Sequence, residues 1–359
     1  MTYAIQQIGM NVGATTAQEA VFAKELCARF HLERVRFANS GTEANLHALA
    51  AARLFTGKRK VVAFGGAYHG GVLGFAGGKP AANNVDVEDW VVAEYNNLDS
   101  ARAAIQSEGV AAVILEGMQG AGGCFPATVE FLQGVQQAAS EVSFRFCALL
   151  AAVADSMRQA GVLFIIDEVM TSRISGHGLA HLHGLRPDLK TFGKWLGGGL
   201  AFGGFGGRAD IMAAFDPRLG GSISHSGTFN NNSLVTHAGH AGLTKVYTSS
   251  AAITFTRFGE ELRARLNQAA QGTRIQFTGI GTIMAIHILS GDNPPPAGPN
   301  VEEISTLRDL FWFEMLEEGF WIARRGFIAL ILETPQSELD RFVSAVGRFI
   351  AKYREFLAV

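Results

Sequence analysis

Cysteine is scarce in this chain: among 359 residues only Cys27, Cys124 and Cys147 are cysteines. They are odd in number, widely spaced and form no Cys-x-x-Cys pair. That argues against a disulfide framework or a structural zinc site and for a reducing compartment. An excess of one charge sign is also lacking. Thirty basic against 32 acidic residues leave a formal net charge of −2, so no bulk attraction favours nucleic acid or an anionic membrane. No nucleic-acid-binding motif is present, and no uninterrupted apolar stretch reaches membrane-spanning length. The first residues, Met-Thr-Tyr-Ala-Ile-Gln-Gln, lack the basic and apolar regions of a secretory signal. These absences predict a cytoplasmic protein with neither nucleic acid nor membrane as a partner, and with no metal site.

Glycine, by contrast, is abundant. The 43 glycines are clustered rather than periodic, which excludes a collagen-like chain. The clusters at 65–78, 117–123, 197–207 and 220–227 fall in loops or near strand ends, where glycine lets the backbone approach a ligand. Several such loops in one chain suggest a single site assembled from many strand ends. The 48% hydrophobic content suffices for one large core or two domains.

Apolar spacing predicts helices over 16–30, 43–55 (stopped by Gly57) and 131–139. Strands are expected at 35–38, 60–64, 111–115 and, most clearly, 162–166. Strands alternating with helices imply a mainly parallel sheet covered on both faces, with ligands beyond the carboxyl ends of its strands. After about residue 240 the style changes. A charged amphipathic helix over 252–270 and a strand over 281–289 precede a loop at Asp292–Pro299. Two helices then flank 320–332, and 336–356 reads as helical. The expected division is a large cofactor-binding domain, 1–245, and a smaller C-terminal α/β domain, 246–359. No internal repeat is present. Residues 141–156 are an unusual insertion, an apolar piece where a short connection would normally join helix to strand.

The chemistry-bearing residues follow the strands. Ser40-Gly41-Thr42 opens a helix after a strand and offers free backbone N–H groups and a positive dipole end to a phosphate. A plain helix cap by Ser40 or Thr42 explains it equally well. It is neither a Walker loop nor a dinucleotide fingerprint, because both glycine spacings are missing. Tyr68 and His69 sit in a glycine loop just after strand 60–64, where an aromatic ring can stack on a planar cofactor; a structural Tyr-His pair is the plainer alternative. Glu116 ends a third strand, as either a site carboxylate or a solvated loop acid. Asp167 ends the run Val-Leu-Phe-Ile-Ile, and 27 residues later Lys194 lies in Thr-Phe-Gly-Lys-Trp-Leu-Gly-Gly-Gly. Both groups are costly in apolar surroundings unless something pairs with them. A desolvated lysine is a competent nucleophile, whereas a snorkelling surface lysine is inert. Pyridoxal phosphate can use both: its aldehyde needs a lysine amine for a Schiff base, and its pyridine nitrogen needs an anion. Finally, Ser224–Asn232 is a donor-rich turn suited to a second phosphate contact or to capping a helix.

Each signal is ambiguous alone, but their order is specific. Ser-Gly-Thr-Glu-Ala (40–44), Tyr-His-Gly (68–70), Asp-Glu-Val-Met-Thr (167–171), Gly-Lys-x-x-Gly-Gly-Gly (193–199) and Gly-Thr-Phe-Asn-Asn-Asn (227–232) together resemble the class III aminotransferases. These are fold-type I pyridoxal-phosphate enzymes. The last motif, with Glu-Gly-Met-x-Gly (116–120), is most similar to glutamate-1-semialdehyde aminomutases and β-amino-acid transaminases. The resemblance spans nearly the whole chain.

The resemblance implies that Lys194 holds pyridoxal 5'-phosphate as a Schiff base and shuttles a proton, and that Asp167 pairs with the pyridinium nitrogen. It implies Tyr68 and Val169 on opposite faces of the ring, with His69 and Glu116 also at the cofactor. Ser40, Gly41 and Thr42 bind the phosphate, and Thr228 reaches the phosphate of a neighbouring subunit in a homodimer with shared sites. Arg325, or equally Arg324, pairs with a substrate carboxylate; a structural salt bridge is the equal alternative. Family members carry an N-terminal portion ahead of the helix at 16–30, which this chain begins without. The functional expectation is amino transfer between an amino acid or amine and a keto acid. The alternatives are an intramolecular 2,1-aminomutase on the same residues and a truncated, inactive cofactor-binding remnant.

Overall fold

Residues 2–9, 13–149, 161–220, 222–291 and 301–359 are described by the computed structural model. The insertion's residues 150–156 and the loop at 292–299 lie outside them. The chain divides into two compact units, Met1–Gly117 with Thr128–Ala251, and Met118–Ala127 with Ala252–Val359. The short excursion 118–127 is a feature that the consecutive division 1–245 and 246–359 does not contain.

The strands, in chain order, are β1 (Arg34–Ala38), β2 (Lys60–Phe64), β3 (Trp90–Ala93), β4 (Val110–Glu116), β5 (Met118–Gln119) and β6 (Phe125–Pro126). They continue with β7 (Leu163–Asp167), β8 (Leu189–Gly193), β9 (Gly203–Gly207), β10 (Ile275–Ile280), β11 (Ile283–Ile288) and β12 (Phe327–Ala329). Seven of them form the sheet of the first unit, in the order β1-β9-β8-β7-β4-β2-β3. The pairs β2–β3, β2–β4, β4–β7 and β7–β8 are parallel, while β9 runs antiparallel to both its neighbours. Every residue of β4 and β7 is buried, as their unbroken apolar runs require of strands covered on both faces. Register then sets the functional edge: Glu116 is opposite Asp167, and Asp167 opposite Thr191, at the carboxyl ends of three adjacent parallel strands.

Helix Gly41–Thr56 packs on this sheet. Ser40 caps it by accepting the Glu43 N–H, and Gly57 ends it in the left-handed conformation, φ 67°. Ala44, Ala48, Ala51 and Ala52 are buried on it, so the helix backbone lies close to the strands. Helix Val129–Leu149 runs ten residues past the expected 139 and into the insertion.

Strand β9 was not expected, since Gly-Gly-Phe-Gly-Gly carries no strand signal. Its glycines are there for proximity: a Cβ at Gly203 would lie 2.0 Å from the Ser40 carbonyl oxygen, and one at Gly206 2.2 Å from that of Arg34. Backbone cannot yield as a side chain does. Gly203→Ala is therefore expected to cost about 1–3 kcal/mol or more in a denaturant melt. A wild-type midpoint in that variant would refute the packing argument.

The second unit holds the antiparallel sheet β10-β11-β12 and the two-stranded ribbon β5-β6. Helix Gln336–Lys352 covers it with Leu339, Phe342, Ala345, Val346 and Phe349, one apolar stripe at helical spacing. Among the described residues no helix is long and apolar enough to cross a membrane.

Candidate active site

Asp167 is held by three hydrogen bonds. Its Oδ1 accepts the Val169 N–H at 2.9 Å, and its Oδ2 accepts from Asn45 Nδ2 and His69 Nδ1, both at 2.8 Å. Burial alone would disfavour its charge, but the His69 hydrogen bond and charge, the Val169 N–H and Asn45 outweigh that and hold its carboxyl below the ordinary range. Asn45 is itself fixed, donating to the His69 carbonyl at 2.7 Å and accepting from Thr191 Oγ1 at 2.6 Å. Asn45 and Thr191 were not among the expected site residues. The available signal was an asparagine, a poor helix former, buried inside an alanine-rich helix.

Lys194 follows β8 directly and opens a short 3-10 turn to Gly197. Its φ of +52° is a left-handed conformation that a residue with a Cβ adopts at a cost. The side chain is open to solvent, yet protein surrounds the ammonium densely enough that desolvation lowers its pKa against the opposing pull of Asp167 and Glu116. Accessibility decides what can reach it, and the surrounding density decides its charge. Among the described residues its amine has no hydrogen-bond partner.

The loop residues join the same network. Glu116 accepts the Tyr68 N–H at 2.9 Å, while the Tyr68 ring is half exposed. His69 is placed behind Asp167, its Nε2 buried without a partner among the described residues. Gly41 and Thr42 have no acceptor for their N–H groups among the described residues, while the Ser40 hydroxyl is occupied by Glu43 N–H at 3.1 Å. A Cβ at Gly41 would press both Val169 methyls at 2.9 Å, so glycine lets Val169 sit against the helix start. Thr42 Oγ1 accepts Gly71 N–H at 3.3 Å, tying that start to the Tyr-His loop.

Two expected residues lie outside this network. Thr228 is exposed and lines a recess of about 470 Å³ with Arg36, His225, Asn230 and Asn231, within the first unit. Arg325 belongs to the second unit, where it lines a recess of about 360 Å³ with Gly120–Gly123, His287, Glu303 and Arg308. Its guanidinium lies over Phe327, 5.0 Å from the ring centroid, and pairs with no carboxylate among the described residues. Arg324, by contrast, is occupied by both oxygens of Asp309, at 3.1 and 2.6 Å.

The network can hold a phosphate at a helix start, a cationic ring nitrogen at Asp167, and an electrophile at an accessible amine. Comparison with known proteins agrees with that chemistry. The family model "Aminotransferase class-III" matches residues 4–333. The chain is 45% identical over 360 residues to the β-phenylalanine transaminase of Variovorax paradoxus, covering 98% of this chain and 77% of that one. It is 34% identical over 365 residues to a glutamate-1-semialdehyde 2,1-aminomutase of Anaeromyxobacter sp. strain K, covering 96% and 78%. The crystal structure of the Variovorax paradoxus β-phenylalanine aminotransferase superposes with a TM-score of 0.89 at 44% identity, over 98% of this chain and 78% of that one.

Proposed function

We infer the substrate class from the premise that this chain belongs to the class III aminotransferase family and is a pyridoxal-phosphate-dependent transaminase of fold type I. It passes an amino group between an amino donor and a keto acid. The donor we propose is a β-amino acid, carrying its amine one carbon further from the carboxylate than an α-amino acid does. The similarity to the β-phenylalanine transaminase, higher than that to the aminomutase, supports this choice and favours an external acceptor over internal rearrangement.

When bound, pyridoxal phosphate supplies an aldehyde that condenses with amines and a ring that takes up the electrons of a broken C–H bond. The residues of this chain fit it. Unused N–H groups of Gly41 and Thr42, beside Ser40, suit the phosphate. Asp167 spends Oδ1 on one hydrogen bond, which leaves an acceptor site for a ring N–H. Its depressed pKa keeps that site anionic, and His69 and Asn45 hold its orientation. Tyr68 and Val169 stand for the two faces of the ring, and Glu116 positions Tyr68 through its backbone. Lys194 is the amine that holds the aldehyde carbon and carries the substrate proton. Its lowered pKa keeps a larger neutral fraction near pH 7 than a surface lysine has.

The exposed Thr228 loop supports a homodimer in which each copy lends that hydroxyl to the other's phosphate. The reducing compartment suggested by the scarce cysteines supports a cytoplasmic location. Arg325 is the proposed substrate-carboxylate residue, because its charge is not already spent on a carboxylate as Arg324's is.

The single observation that carries this reading is the Asp167–His69–Asn45 network beside an accessible, desolvated lysine. Its test is a donor panel with 2-oxoglutarate or pyruvate. β-Phenylalanine is expected to exceed α-amino acids in kcat/KM by about tenfold or more, a difference of about 1.4 kcal/mol. Arg325→Ala is expected to raise KM for donors that carry a carboxylate and to spare amines that lack one. Isomerisation without any keto acid would establish the mutase instead. Cofactor binding without turnover would identify a remnant.

A further inference from the structure

A cluster of imidazoles lies apart from the Asp167 network. Helix Ala17–Phe30 ends at His31, and helix Gly178–Leu182 has His177 at its N-cap and His181 one turn on. The ring centroids of His31, His177 and His181 are 4.6–5.0 Å apart, and a ligand nitrogen of each lies within 4.8 Å of the others. The four-residue spacing puts His177 and His181 on one helix face. The third ring comes from a distant segment, held by the left-handed cap conformation of His31, φ 55°.

We propose that His31, His177 and His181 bind one borderline divalent metal ion of the zinc class, tying the end of one helix to the start of the other.

The donor set selects the metal. Three imidazoles with no thiolate or carboxylate suit Zn²⁺, Ni²⁺ or Cu²⁺ and not the oxygen-seeking Mg²⁺ or Ca²⁺. One ring is already oriented: His177 Nδ1 donates to the Arg29 carbonyl at 2.8 Å, which leaves Nε2 bare for an ion. That carbonyl is itself anchored, because the buried Arg29 side chain donates to Gly176 O at 2.9 Å and Leu243 O at 3.1 Å. A tetrahedral ion with bonds of about 2.0–2.1 Å needs its nitrogens about 3.4 Å apart. The exposed His31 and His181 rings supply the small closing rotation and the entry path. Lys190 lines a recess with His31 and His181. It repels a cation. Its ammonium, however, is turned to the Phe30 carbonyl at 2.8 Å and faces the Glu168 charge.

The site is separate from the cofactor chemistry. Lys190 lies near the start of β8 and Lys194 just beyond its end, about 13 Å of extended chain apart. Yet the helix that the ion would fasten is one whose Leu179 and Ala180 N–H groups are held by Glu168, at 3.1 and 2.8 Å, next to Asp167 in sequence. A metal here would stabilise that support without touching the reaction.

The test uses chelator-treated, tag-free protein loaded with pyridoxal phosphate. Titration calorimetry with Zn²⁺ is expected to give one ion per chain with Kd of about 10 µM or tighter, and saturating Zn²⁺ should raise Tm by several degrees. Mg²⁺ should do neither. The variant His31→Asn/His181→Gln keeps a residue suited to the left-handed cap and should lose about 100-fold in zinc affinity with unchanged cofactor absorbance. Should that variant fail to fold, His181→Gln alone is to show at least a tenfold loss. The proposal is overturned by no stoichiometric binding below about 100 µM, by undiminished binding in a folded variant, or by Mg²⁺ binding as tightly.

Discussion

Lys194→Ala is expected to eliminate covalent capture of pyridoxal phosphate and to lower transamination by about 10⁴-fold or more. Borohydride treatment of the loaded wild-type protein followed by peptide mass mapping should place a pyridoxyl group on Lys194, and the variant should show none. The left-handed backbone at this position separates chemistry from stability. Alanine retains a Cβ at φ +52° and leaves the local strain unchanged, so the loss cannot be assigned to unfolding. Lys194→Gly goes further: it should be equally inactive and yet more stable, by about 1 kcal/mol, because glycine adopts this conformation freely. A protein that spends stability to aim one lysine is arranged for function there. Turnover by either variant within about 100-fold of wild type, or pyridoxyl modification at another lysine, would remove Lys194 from its role.

Asp167→Asn should reduce kcat by on the order of 10²–10³-fold and weaken cofactor affinity, while the fold persists. Both carboxylate oxygens now accept hydrogen bonds, from Val169 on one side and from Asn45 and His69 on the other. An asparagine offers one acceptor and one donor, so at least one of these N–H groups loses its partner, at about 1–3 kcal/mol. A pH dependence follows with a definite sign. Because the folded-state pKa of Asp167 is depressed, its charge stabilises the protein above the ordinary aspartate value of about 3.9. That contribution is lost only as pH falls through the lower native value. Acid unfolding of the cofactor-free protein below about pH 4 should therefore be less steep in Asp167→Asn than in wild type. The activity of the wild type between pH 5 and 8 should show no titration of this group. An acid limb in kcat that vanishes on this substitution would contradict the assignment.

Much of the candidate site could be read from the chain because its residues lie at the ends of strongly patterned strands. The unbroken apolar run before Asp167 marks a strand buried on both faces, and a carboxylate at its end is out of place without a partner. Strand β2 was legible from residue 60 to 64 for the same reason, and Gly57 as the stop of helix Gly41–Thr56 from its need for a positive φ. Strand β8 was not, because a lysine at 190 within Leu-Lys-Thr-Phe-Gly breaks the apolar pattern. In the fold that lysine is buried and satisfied by a backbone carbonyl from another element. Strand β9 was illegible because its glycines answer to the backbones of β1 and β8, which lie beside it only in the sheet.

By itself the sequence determined the order of the proposed cofactor-binding residues: the hydroxyl turn, the aromatic loop, the strand-end acid and the lysine in its glycine-rich setting. These are local signals, each set by what a strand end or helix start must carry. Only tertiary structure decided which groups act on them. It placed Asn45, His69 and Thr191 around Asp167, left Arg325 without the carboxylate that holds Arg324, and gathered three histidines from residues 31, 177 and 181. The physical reason is common to all three cases. Hydrogen bonds and imidazole clusters join residues far apart in the chain, and no local periodicity records which distant partner a buried polar group will meet.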